Sequence, residues 1–290
     1  MIWNLGSVNI DNVYEVTHLP GPGETLAALR FSQGLGGKGA NMSIAAARAG
    51  AQVAQIGAVG PDGRWTVERL AAYGVETGHI AFVETATGHA NICVDRAGEN
   101  NIVLFGGANL GISDGMIEAA LAGAKEADFL LLQNETNGQG EAVGLARQRG
   151  LRIAYAAAPF SFEAVAALLG KIDLLVLNAV EAAQLSEASG TALDALGVED
   201  IVVTLGAEGC RWISRGQDVP RDFSAVRVDP VDTTGAGDTF TGYLVAGLDR
   251  GMAMEAALEL ALKAGALMVT RHGTGDVIPT LADVQERFGA

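Results

Sequence analysis

Residues Val231 to Phe240 read V-D-T-T-G-A-G-D-T-F: an acidic residue and two threonines lead into Gly-Ala-Gly, and Asp238 follows. Downstream, Phe240, Leu244 and Leu248 recur at i, i+4 and i+8, the spacing of one buried helical face. Gly235 and Gly237 let the backbone turn tightly ahead of that helix, with no Cβ in the way. The first-turn N–H groups have no partners inside the helix, and the helix dipole favours negative charge beside them. Gly235, Ala236 and Gly237 are therefore candidates for an anion hole, with Asp238 on its rim. An anion hole beside a carboxylate suits transfer of a phosphoryl group to a hydroxyl. From this stretch alone, a glycine turn opening a helix with an acidic first turn reads equally well.

Other polar groups have informative neighbours. Asn9 and Asp11 stand two apart and share one side of an extended chain. An amide and a carboxylate can together bind vicinal hydroxyls, although an Asx turn is the plainer alternative. Gly34-Leu35-Gly36-Gly37-Lys38-Gly39 matches G-x-G-x-x-G ahead of a helix. The next strand ends Q-I-G-A-V-G, without the carboxylate of a dinucleotide site, and Lys38 precedes Gly39 where a P-loop needs Ser or Thr. What remains is a cluster of close-approach glycines followed by Asn41, suited to a neutral, hydroxyl-rich ligand or to a simple turn. Asn178 and Glu181 form N-x-x-E at a strand-to-helix junction, the pattern of a helix cap. The same pair could hold the water shell of Mg²⁺ near nucleotide phosphates. Thr204-Leu205-Gly206-Ala207-Glu208-Gly209 is a strand end followed by a glycine-hinged loop able to cover a nucleotide.

These groups need a scaffold, and the chain has room for one. It has 290 residues, 49% hydrophobic and 18% charged, which fits a compact globular protein. Nineteen basic against 34 acidic residues give a net charge of −15, disfavouring nucleic acid and anionic membrane surfaces as partners. Cys93 and Cys210 match no metal-ligand spacing and read as free thiols in a reducing cytoplasm. No signal peptide or membrane span is expected, and the four histidines form no zinc pair.

Apolar runs at Val53–Val59, Phe129–Leu132, Ile153–Ala156, Leu174–Leu177 and Ile201–Thr204 read as buried strands. Helical segments at Ala40–Ala49, Gly138–Arg149, Phe162–Leu169 and Val180–Leu185 lie among them. That alternation predicts an α/β fold of three layers, α/β/α, around a mostly parallel sheet. Ligands in such sheets bind beyond the carboxyl ends of the strands, where Thr204–Gly206 falls. Two segments break the rhythm. Val13–Ser32 has no helical period, and Gly88–Phe105 alternates apolar and polar residues through a D-R-A-G-E-N-N turn. They predict a small antiparallel sheet, built from approximately 12–33 and 87–106, that serves as a lid on a single domain spanning 1–290.

Taken together, the motifs resemble the ribokinase family of PfkB-type carbohydrate kinases over essentially the whole chain. Gly36–Asn41 (G-G-K-G-A-N) resembles the family's N-terminal signature and Asp232–Phe240 its C-terminal one, with N-x-x-E and T-L-G-x-x-G between them in the family's order. G-S-V-N-I-D, P-G-P-G-E-T, G-E-N, G-G-A-N and V-T-R-H-G are each similar to its ribose-phosphorylating members. The resemblance implies ATP-dependent phosphorylation of a sugar's primary hydroxyl, ribose first, with another sugar or a nucleoside as the alternative. A non-catalytic sugar-binding regulator is a further one. It implies Asp238 as general base and the amides of Gly235, Ala236 and Gly237 as the hole. Asn9, Asp11, Gly37, Lys38, Asn41 and Glu135 match sugar-binding positions. Asn178, Thr204, Gly206, Glu208, Gly209, Gly237 and Lys263 match nucleotide-binding ones. Glu181 would hold Mg²⁺ through water, and Asp232, Thr234, Val269, His272 and Thr274 would hold K⁺. A homodimer through the lid sheet is implied as well. The chain departs from the family at Ala156 and Ala157, where Asn-Pro is usual, and at Lys263, where Asn or His often flanks adenine.

Overall fold

The computed structural model describes residues 1–217 and 219–289. The chain opens with strands β1 (Ile2–Leu5), β2 (Asn9–Glu15) and β3 (Arg30–Gly36), then helix α1 (Lys38–Arg48). Next come β4 (Val53–Val59), α2 (Arg64–Ala72), β5 (Glu76–Phe82), β6 (Gly88–Val94), β7 (Asn100–Phe105) and α3 (Asp114–Leu121). The central stretch runs β8 (Phe129–Leu132), α4 (Gln139–Gln148), β9 (Arg152–Ala156), α5 (Phe162–Leu168), β10 (Leu174–Asn178) and α6 (Ala179–Ser189). It ends with β11 (Asp200–Thr204), β12 (Cys210–Ser214), β13 (Arg221–Phe223), α7 (Ala236–Asp249), α8 (Met254–Met268) and α9 (Leu281–Phe288).

Nine strands form the central sheet in the order β13-β12-β11-β10-β9-β8-β1-β4-β5. Every pairing from β5 through to β11 is parallel, and β12 and β13 extend that edge antiparallel. Side chains alternate between two apolar layers, as the period of two demands. Phe129 and Leu131 of β8 join the layer of α1, α7 and α8, while Leu130 and Leu132 join that of α3 to α6. The three-layer α/β/α expectation therefore holds. The strand predicted at Ile153 begins at Arg152, and the helix predicted at Val180–Leu185 continues to Ser189, where Gly190 adopts the left-handed conformation that ends it.

The second sheet has the order β3-β2-β6-β7. Its outer pairs, β2 with β3 and β6 with β7, are antiparallel hairpin-type pairings; the central pair, β2 with β6, runs parallel. The strands extend beyond the predicted 12–33 segment at both ends, so Asn9 and Gly36 are paired at the root of the sheet.

Helices α1 and α7 lie side by side under the root of the small sheet. Their separation is set by Gly242, where a Cβ would sit 2.5 Å from that of Ala45 and 2.6 Å from the Met42 carbonyl. This close approach carries Asn41 of α1 to Asp238 of α7.

Candidate active site

Helix α7 starts at Gly235, whose φ of 74° lies in the left-handed region that favours glycine. No side chain caps the helix. Thr239 donates its N–H to the Gly235 carbonyl at 2.9 Å, and Ala236 donates to Thr233 at 3.3 Å. Among the described residues, the N–H groups of Gly235, Gly237 and Asp238 have no acceptor. The open set thus differs from the expected Gly235, Ala236 and Gly237. Turning the chain left-handed at Gly235 folds the Ala236 N–H back onto Thr233, and the amide of Asp238 takes its place.

Asp238 is buried, and its Oδ2 accepts a hydrogen bond from Asn41 Nδ2 at 2.9 Å. Asn41 is buried too, and its Oδ1 has no partner. A buried carbonyl oxygen left without a donor is costly. Asp11 stands on β2 with its carboxylate against Gly36, where a Cβ would overlap Asp11 Oδ2 at 2.1 Å. Burial, aided by the charges of Glu135 and Asp238, pushes the Asp11 carboxyl up to about 7. Lys38 is held above its ordinary range by Asp238 and, more weakly, by Glu135 and Glu181, against the opposing effect of burial. Four carboxylates, Asp11, Glu135, Asp238 and Glu181, therefore act on this corner with one ammonium.

Helix α1 also starts after a left-handed glycine, Gly37, with φ of 94°. Its first-turn donors are all taken. Lys38 N–H donates to Glu135 Oε2 at 3.0 Å, Gly39 N–H to Ser7 Oγ at 3.2 Å and Ala40 N–H to the Ser7 carbonyl at 2.8 Å. Ser7 Oγ in turn donates to Glu135 Oε2 at 2.5 Å. Asn9 Oδ1 accepts from Asn109 Nδ2 at 2.7 Å, while Asn109 Oδ1 accepts from the Val8 N–H at 2.9 Å. Sequence reasoning singled out neither Ser7 nor Asn109. Both lie inside motifs that carry the resemblance, G-S-V-N-I-D and G-G-A-N, but no role was attached to them; their burial and hydrogen bonds show them supporting neighbouring polar groups.

On the other side of α7 lies a cavity of about 770 Å³. Of the expected nucleotide residues, Thr204, Gly206, Gly209 and Gly237 line it, together with Ala236. Lys263 does not. On α8 the lining residues are Leu262, Gly265 and Ala266, with Val269 just beyond, the i, i+3, i+4, i+7 stripe of one face, and Lys263 falls off it. Glu208 is exposed and meets this region through its carbonyl, which accepts the Ala225 N–H at 3.4 Å. The wall missed by sequence reasoning is Ala225–Pro230, an extended connection without helical or strand period, plus Thr233 and Phe240.

Asn178 lies outside the lining. It forms the reciprocal cap: Asn178 Oδ1 accepts the Glu181 N–H at 2.9 Å, and Glu181 Oε2 accepts the Asn178 N–H at 2.8 Å. Glu181 Oε1 is left uncommitted, and burial raises the Glu181 carboxyl above its usual range. Next to the anion-hole loop, Asp232 Oδ1 accepts from Thr234 N–H at 2.9 Å and Oδ2 from Gly273 N–H at 3.1 Å. Burial opposes ionisation of Asp232, yet the bonds from Thr234 and Gly273 and the nearby His272 hold it below the usual range. The Val269 carbonyl already accepts from both Val231 at 2.7 Å and Asp232 at 3.1 Å. Its lone pairs are spent on tying the loop down, which removes it from the expected cation ligands. Thr274 Oγ1 donates to the Leu35 carbonyl at 3.2 Å, joining this loop to the root of the small sheet. Among the described residues, no group of three or more His, Cys, Asp or Glu side chains is placed to hold a metal ion by itself.

A buried carboxylate beside open helix-start amides, between a polar corner and a nucleotide-sized cavity, defines a phosphoryl-transfer class of fold and site. The pfkB family carbohydrate kinase model matches residues 1–281, and the chain belongs to that family, the sugar phosphotransferases. It is 34% identical to the ribokinase of Haemophilus influenzae over 297 aligned positions, covering 97% of this chain and 96% of that one. It is 31% identical to the deoxyribokinase of Salmonella typhi, with the same 97% and 96% coverage. Arabidopsis thaliana ribokinase, solved with ribose and ATP, superposes with a TM-score of 0.86 at 28% identity, covering 98% of this chain and 97% of that one.

Proposed function

We propose that the protein is a ribokinase, transferring the γ-phosphoryl group of ATP to the primary hydroxyl of D-ribose to give ribose 5-phosphate. The observation that carries this reading is the Asn41–Asp238 pair, buried where the open amides of α7 meet the polar corner of α1 and β2. Asp238 Oδ1, free of protein partners, accepts the proton of the attacking hydroxyl, a contribution of about 10²–10⁴ in rate. The amides of Gly235, Gly237 and Asp238 hold the transferring group, each donor being worth about 10²–10³. Asn9, Asp11, Asn41 and Glu135 bind the sugar hydroxyls, with Gly37 and Lys38 supplying the turn and the positive charge beside them. The cavity between Thr204–Gly209, Ala225–Pro230 and α8 takes the nucleotide.

The donor chemistry fits the accompanying ions. Glu181 Oε1 is uncommitted and suits the water shell of Mg²⁺, which neutralises phosphate charge when bound. Asp232, Thr234, His272 and Thr274 surround the loop behind the anion hole and are the candidates for K⁺. The small sheet acts as a lid. Phe31, Ile102, Val103, Leu104 and Phe105 expose apolar surface on its edge strands, which supports a homodimer through that sheet. No helix among the described residues is long and apolar enough to cross a membrane. With both cysteines free, a cytoplasmic setting is proposed.

A panel of pentoses, hexoses and nucleosides with ATP, Mg²⁺ and K⁺ tests the reading; ribose is expected to give the highest kcat/KM. The resemblance to a deoxyribokinase makes 2-deoxyribose the most informative competitor. If it or a nucleoside outruns ribose, the specific substrate is wrong while the kinase class stands.

A further inference from the structure

The polar groups beneath α1 converge on one side chain outside the proposed contact set. Ser7 lies between β1 and β2, fully buried, and bonds to two separate segments, the start of α1 and the loop after β8. Its hydroxyl has a single proton, which goes to Glu135 Oε2 at 2.5 Å, and a lone pair, which takes the Gly39 N–H at 3.2 Å. Its carbonyl takes the Ala40 N–H at 2.8 Å. Glu135 Oε2 also accepts the Lys38 N–H at 3.0 Å, so that oxygen is committed twice and Oε1 is the one left for a ligand. Glu135 comes from the loop after β8, 128 positions from Ser7, and its Oε2 joins Ser7 to the Lys38 N–H at the glycine turn.

We infer that Ser7 is a positioning residue for the acceptor sugar: it fixes the Glu135 carboxylate and the start of α1 in one geometry, and thereby sets sugar affinity. The inference rests on the proposed role of Glu135 as a sugar contact. A hydroxyl with one donor and two anchored neighbours has one orientation, so the carboxylate cannot rotate its free oxygen away from the pocket without leaving the Ser7 proton unpaired. Removing the hydroxyl leaves Glu135 held through Lys38 alone and strands the buried Gly39 N–H. The nucleotide cavity shares no residue with this cluster. The defect is therefore confined to the sugar side.

The test is steady-state kinetics of Ser7→Ala, Glu135→Gln and the double variant, with KM measured separately for sugar and ATP. Ser7→Ala is expected to raise the sugar KM about tenfold, a loss of one charge-assisted hydrogen bond, with kcat and the ATP KM nearly unchanged. In the double variant the loss should be close to that of Glu135→Gln alone, because Ser7 acts through Glu135. Additive losses, an unchanged sugar KM, or a parallel rise in ATP KM would each overturn the inference. Ser7→Cys, slightly larger and with a weaker donor, should fall between wild type and Ser7→Ala; if Ser7→Ala does not fold, the cysteine variant must still raise the sugar KM selectively. Lack of any sugar turnover by the unmodified protein is a separate result, which counts against the proposed function.

Discussion

Helices α1 and α7 begin alike and end up chemically opposite. Each follows a glycine with positive φ, Gly37 at 94° and Gly235 at 74°, and neither has a side-chain cap bond from that glycine. At α1, Ser7 and Glu135 take up the first-turn donors, so the dipole is answered by a protein carboxylate. At α7 three amides stay open beside Asp238. A glycine turn before a helix thus states only that donors will be presented; what occupies them is decided by segments distant in sequence. On the proposed function, the closed start sits beside the sugar hydroxyls and the open start leaves its field for the transferring phosphoryl group.

If that division is right, damage on the two sides should separate kinetically. The largest effect is expected from Asp238→Asn, which removes the base: kcat should fall by about 10²–10⁴ while sugar and nucleotide affinities, by calorimetry, stay within a few-fold. Unchanged turnover would eliminate the assigned base. Next are the two glycines. Alanine in a left-handed position costs about 1–2 kcal/mol, so Gly235→Ala should lower kcat by disordering the open amides, whereas Gly37→Ala should chiefly raise the sugar KM. Equal kinetic signatures would collapse the contrast between the helices.

A subtler effect attaches to Asp11, whose carboxyl is pushed up to about 7 from an ordinary value of 3.8. The folded state holds this proton more tightly than the unfolded chain. Its stabilising contribution is therefore complete below pH 4 and is lost as pH rises through about 7. Asp11→Asn should consequently raise Tm at pH 8 by more than at pH 4, and should weaken sugar binding at both; thermal melts and titration at the two pH values check this. The smallest effect belongs to Lys263→Ala, since Lys263 lies off the cavity face. Its ATP KM should stay within about twofold, whereas Ala266→Leu, on that face, should raise it about tenfold by filling the cavity.

Much of the frame was legible because buried parallel strands carry their own signature. Val53–Val59 and Phe129–Leu132 are strands over the very residues whose apolar runs announced them. The glycine motifs and Asp238 were legible for another reason, since their chemistry depends on local backbone. Relations across the chain were hidden. The parallel pairing of β2 with β6 joins segments about eighty residues apart, and no periodicity encodes it. Ser7 and Asn109 each bond to a side chain a hundred or more residues away, Glu135 and Asn9 respectively. Lys263 illustrates a related point, since it lies off the face of α8 that lines the cavity and position in a motif does not give rotation about a helix axis. Val269 looked like a free carbonyl donor until the fold committed it to Val231 and Asp232.

The contact of Gly242 with Ala45 and Met42 has a consequence for how such an enzyme can change its trade. It welds α1 and α7 into one block, so Asn41 and Asp238 keep their spacing whatever the small sheet does. Strands β2, β6 and β7 can then be rewritten as an interchangeable reader mounted on a fixed chassis. Edits to Asn9 and Asp11 on that reader would change two of the proposed acceptor contacts while leaving the Asn41–Asp238 spacing untouched.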